Sequence, residues 1–87
     1  MKGNFEMEKK LVQEYIIHLL DGTKIITCED YELPVEESVV TRVDKANADE
    51  ILQICDLLIV HYIPKRSILY ISSGDVYEAK YAFAFED

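Results

Sequence analysis

Eighty-seven residues, 49% of them apolar and 30% charged, fit one small globular domain with a core just large enough to fold alone. Seventeen acids against nine bases give a net charge of −8, which repels phosphate backbones and weighs against general nucleic-acid binding. Two cysteines are too few for a disulfide-stapled scaffold, no charged-then-apolar leader opens the chain, and the longest apolar run (residues 57–63) is far short of the ~20 residues of a membrane helix, so a cytoplasmic protein with reduced thiols is expected.

Residues 1–14 are polar, with Phe5, Leu11 and Val12 at loosely helical spacing behind Asn4. The first ten residues read as a short helix or a frayed end, and Met7 offers a second start. The clearest local signal follows. Residues 15–20 (YIIHLL) and 23–29 (TKIITCE) flank Asp21-Gly22. Asp-Gly between β-rich runs marks a hairpin, because a type I′ turn needs positive φ at both central positions. A two-residue loop pairs Leu20 with Thr23, His18 with Ile25 and Tyr15 with Cys28. That register puts Tyr15, Ile17, Leu19, Ile26 and Cys28 on the core side. Ile16, His18, Ile25 and Thr27 take the other, so His18 and Cys28 point to opposite faces.

Residues 31–37, with Pro34 and several acids, read as a loop, and the β-branched residues 38–43 read as a strand. Asn47 is followed by Asp49 and Glu50, then by Ile51, Leu52, Cys55 and Leu58 at helical spacing. An Asn cap with acids in the first turn favours a short helix over residues 48–55, and a strand over 50–55 competes closely with it. Glu29, Asp30, Glu32, Glu36, Glu37, Asp44, Asp49 and Glu50 form an acidic band opposed only by Arg42 and Lys45. The band reads as solvated loops, or as a face that meets a basic partner or mimics nucleic acid.

Residues 57–74, LLIVHYIPKRSILYISSG, carry no acid before Asp75 and two adjacent bases. The apolar runs 57–63 and 68–71 are expected to pair, or lie side by side, around the Pro64-Lys65-Arg66-Ser67 break. Proline has no amide to donate, so Pro64 ends its ladder. Residues 72–75 read as a turn that closes the strand from Ile68. The tail alternates Tyr77, Ala79, Tyr81, Phe83 and Phe85 with Glu78, Lys80, Ala82, Ala84 and Glu86. That is the pattern of a half-buried strand with an aromatic face, which offers an exposed edge or an oligomer interface.

The hairpin of residues 19–25 (LLDGTKI) and the late element of residues 63–71 (IPKRSILYI) resemble the Sm-like and SH3-like small barrels. The resemblance implies a mainly β fold, a small barrel or curled antiparallel sheet of about five strands with one or two short helices. The alternative is an α+β fold with a helix near 48–55 packed on the sheet. Sm proteins bind RNA with an Asp-then-Asn loop after the second strand; the matching region here reads CEDYELPVEE, all acid and apolar. The Lys and Ile content is similar to that of small proteins of low-GC bacteria.

Candidate chemistry is sparse. His18, His61, Cys28 and Cys55 suit zinc by type, but no pair has the short spacing of a recognisable site. Ser72-Ser73-Gly74-Asp75 and a histidine lack the strand–elbow–helix context of a serine nucleophile. Three glycines form no phosphate cradle. No catalytic, cofactor or metal site is expected, and the chain is not expected to be an enzyme. What remains is a basic tip, Lys65 and Arg66, with Tyr62, Tyr70 and His61 as neighbours. Bases beside aromatics can grip a phosphate and stack a nucleobase, although the same pair also serves as a solvated turn. The expected function is a non-catalytic acidic binding or regulatory module with a protein partner, able to self-associate through residues 77–85. The alternative is a small-barrel binder of RNA or single strands that uses the Lys65/Arg66 tip.

Overall fold

The structure is a computed structural model that describes residues 7–56 and 59–82. It is mainly β. Five strands form two antiparallel sheets, joined by one α-helix and two 3-10 turns.

Strands β1 (Met7–Leu19) and β2 (Lys24–Asp30) make the hairpin that Asp21-Gly22 announces. The loop is three residues rather than two. Gly22 donates its N–H to the Leu19 carbonyl at 3.0 Å, and Leu19 donates to Thr23 at 2.9 Å. Gly22 then turns the chain with φ 91°, the left-handed conformation that suits glycine. The extra residue slides the register by one, so that His18 faces Lys24, Ile17 faces Ile25 and Tyr15 faces Thr27. A slip of one residue reverses every side chain of a strand. Ile25 and Thr27 are therefore buried, Ile26 and Cys28 point outward, and His18 shares the outer face with Cys28 instead of opposing it.

The β-branched residues 38–43, expected as a strand, belong to helix α1 (Val39–Lys45). Local capping overrides propensity here. The Ser38 hydroxyl accepts from the Val40 N–H at 3.3 Å and donates to the Glu29 carboxylate at 2.9 Å, and that carboxylate also accepts from the Val39 N–H at 3.3 Å. Val39 and Val43, four residues apart, form the buried stripe.

The favoured helix over 48–55 is instead strand β3 (Ile51–Asp56). Leu52 and Ile54 are buried while Ile51, Gln53 and Cys55 are exposed, a period of two. The Asn47 signal makes a turn: Asn47 N–H donates to Glu50 Oε1 at 2.7 Å, and Glu50 N–H donates back to the Asn47 carbonyl at 3.0 Å.

Strand β4 (Ile59–Pro64) pairs with β3, Leu52 against Ile63 and Gln53 against Tyr62. Pro64 closes β4, as its missing amide requires. The two apolar runs around it do not pair with each other. A 3-10 turn (Lys65–Ser67) passes the chain to the other sheet, where β5 (Ile68–Ala82) lies against β1. Residues 72–75 run inside β5 and are not a turn. Gly74 lies at a register shift of that ladder, against Glu14. Residues 7–14 are strand rather than helix. The alternating tail is strand as far as Ala82, while Phe83 and Phe85 lie outside the described residues.

The strand orders are β2-β1-β5 and β3-β4. Between the sheets lies one core of Ile17, Ile25, Leu52, Ile54 and Ile63, joined by Val39 and Val43 of the helix. A side-chain bond ties the sheets: Thr27 Oγ1 donates to the Cys55 carbonyl at 2.6 Å, while the Leu20 N–H, donating to the Ser67 carbonyl at 2.9 Å, prolongs the β1–β5 ladder past Leu19. The strands do not close into a barrel among the described residues; the form is the curled antiparallel one. No helix among them is long and apolar enough to cross a membrane.

Candidate functional site

The candidate residues divide among three places. Lys65 has a structural task that the sequence does not reveal. Its ammonium donates to the Ala46 carbonyl at 3.0 Å, at the C-cap of α1, where a cation complements the negative helix end. Arg66 is exposed and forms no hydrogen bond or ion pair with any described residue. His61 stands at the inward side of β4 opposite Ile54. Its Nε2 is buried without a hydrogen bond among the described residues, 3.8 Å from Asp56 Oδ2. Tyr70 belongs to the other sheet. Its ring stacks on His18 at 4.0 Å and 14°, and His18 Nε2 lies 2.9 Å from Ser72 Oγ. Lys24, His18 and Tyr70 thus form one row across β2, β1 and β5.

The zinc-type residues do not converge either. Cys28 Sγ lies 3.0 Å from Tyr77 Oη, and no three His, Cys, Asp or Glu side chains among the described residues form a metal-holding group.

Tyr62 marks the feature that individual residue types conceal. The face of β3–β4 turned away from the core carries Ile51, Gln53 and Cys55, opposed by Val60 and Tyr62. Ile51 is 65% exposed, Val60 41% and Tyr62 68%. An apolar face of this kind on a soluble surface usually marks an interaction site. β3 is the only strand neighbour of β4 among the described residues, so the outer edge of β4 has unpaired backbone groups. No Asp, Glu, Lys or Arg lies between Ile59 and Pro64, although such charges are the usual protection of these edges. The alternation of burial along residues 51–55 is not written in their sequence, where only Gln53 is polar, and the cap-like Asn47-Ala48-Asp49-Glu50 points to a helix instead.

A shallow cleft of about 270 Å³ adjoins this edge. Leu19, Leu20 and Asp21 of the β1–β2 turn line one side, and Tyr62, Ile63 and Pro64 the other. Asp21 is the one charged group of the lining. The backbone N–H of Thr23 donates to its Oδ1 at 2.9 Å and holds the carboxyl below its ordinary pKa, so it is ionised at neutral pH. Asp21 has no ion pair with a described residue.

No protein-family model matches the chain, and neither the search of curated proteins nor that of solved structures finds a match.

Proposed function

We propose that the protein is a non-catalytic binding module whose partner is another protein, held on the outward face and free edge of the β3–β4 hairpin. The observation that carries this reading is the exposure of Ile51, Val60 and Tyr62 on one face of a hairpin whose outer strand has no further strand neighbour among the described residues and no Asp, Glu, Lys or Arg between Ile59 and Pro64. Exposed apolar side chains supply contact area, and an open edge supplies hydrogen bonds to an added strand. The acidic surface keeps such a protein soluble and draws basic partners toward it. The module works where Cys28 and Cys55 stay reduced, as in the cytoplasm.

Affinity capture from the cells that make the protein tests this. Wild-type chain recovers a partner, and a variant with Ile51→Lys and Tyr62→Lys, both exposed substitutions, loses it while its thermal midpoint stays the same. A partner retained by the folded variant contradicts the reading.

A further inference from the structure

We infer that the cleft between the β1–β2 turn and β4 receives a lysine or arginine side chain, carried by an extended segment that the partner lays along the free edge of β4. The inference rests on the proposed protein-binding role and adds the chemistry of what is bound.

The size of the cleft comes first. About 270 Å³ lies at the lower edge of the ~300–1,000 Å³ of small-molecule pockets and has room for a single long side chain. Its walls come next. Leu20 is 64% exposed, and with Tyr62 and Pro64 it offers apolar and aromatic surface, while Asp21 supplies the one carboxylate. An apolar stem tipped by a cation matches both features, since Lys and Arg lay their methylenes on apolar surface and pair their heads with rings and carboxylates. The chain's own bases do not satisfy Asp21. Lys65 is held by the Ala46 carbonyl, and Arg66 on the adjacent turn makes no ion pair with it.

Charge selects the same partner. A net charge of −8 attracts cationic segments and repels acidic ones. The edge explains why the segment is extended. β4 has no Asp, Glu, Lys or Arg between Ile59 and Pro64 to obstruct an added strand, and its Tyr62, Ile63 and Pro64 line the cleft, which no β5 residue does. Side chains of an added strand alternate, which sends every second one toward the cleft side.

The test uses the full chain, isotope-labelled for NMR, and three capped peptides of alternating valine and threonine that differ only in a central arginine, alanine or glutamate. The arginine peptide is expected to shift the amides of Asp21, Tyr62 and Ile63, with the alanine peptide binding about fivefold more weakly and the glutamate peptide weaker still. Asp21→Asn keeps the acceptor for Thr23 and is expected to remove that arginine preference. Equal binding of the arginine and glutamate peptides, an unchanged preference in Asp21→Asn, or stronger shifts of these amides by a short RNA than by the arginine peptide would overturn the inference. If those results came with a captured partner that is lost on Ile51→Lys and Tyr62→Lys, the protein-binding role would stand and only the basic side chain would fail.

Discussion

Thr27 donates its hydroxyl to the backbone carbonyl of Cys55 at 2.6 Å, and this bond joins the three-stranded sheet to the β3–β4 hairpin. Thr27 is buried, so a substitution that keeps its shape and removes the hydroxyl leaves a carbonyl to find another donor. Thr27→Val is expected to destabilise the fold by about 1–2 kcal/mol in urea unfolding. Thr27→Ser, which keeps the donor, should retain most of that bond, and a Val variant as stable as wild type would show the bond contributes nothing.

The start of α1 rests on Glu29 and Ser38 together. Ser38→Ala removes the cap and is expected to cost ~1 kcal/mol. Glu29→Gln weakens the bonds from Ser38 and the Val39 N–H. Because the two side chains bond each other, the double variant should lose less than the sum of the singles, which a double-mutant cycle measures. Strict additivity would argue against a shared cap.

The glycines make contrasting demands. Gly22→Ala has space for a Cβ but must hold φ 91°, so a loss of about 1–2 kcal/mol is expected from backbone conformation alone. At Gly74 the obstacle is a neighbour, since a Cβ would sit 3.2 Å from the Glu14 Cβ and closer still to its carboxylate. Truncating Glu14 to alanine should therefore ease Gly74→Ala to a degree it cannot ease Gly22→Ala. Equal effects on both would contradict the distinction.

Acid stability follows from Asp21 and Asp30. The Thr23 backbone amide lowers the pKa of Asp21, and the Glu32 backbone amide, followed by Lys10, lowers that of Asp30. A folded pKa below the unfolded one adds stability above the ordinary aspartate value of about 3.9, and that stability is lost as pH falls through the folded pKa. The thermal midpoint should therefore drop on acidification below about pH 4. Asp30→Asn should flatten that drop, and an unchanged slope would count against the pairing.

The elements whose signals are local were legible in the sequence. The hairpin at Asp21-Gly22, the end of β4 at Pro64 and the alternation into β5 were read from single residues and short periods. The register was not, because Asp-Gly fits both two- and three-residue loops, and the difference of one residue turned Ile25 and Thr27 inward. Helix α1 escaped because part of its cap comes from Glu29, on another element, while Val39, Val40 and Val43 individually favour strand. Asn47, Asp49 and Glu50 imitate a helix start but close a turn. The candidate site was partly legible. Tyr62 stood out as an aromatic next to bases, yet the task of Lys65 depends on Ala46, nineteen residues away, and nothing local encodes it. The pairing of β4 with β3 rather than β5 decides which edge is free, and only the folded chain reveals it.

Amide hydrogen exchange of the chain, alone and with the protein recovered by capture, tests the central claim most directly. The account predicts slowed exchange at β4 amides from Val60 to Ile63 and at Asp21 when the partner is bound. Unchanged exchange there, with the slowing confined to β5 or to the turn that carries Arg66, would contradict it.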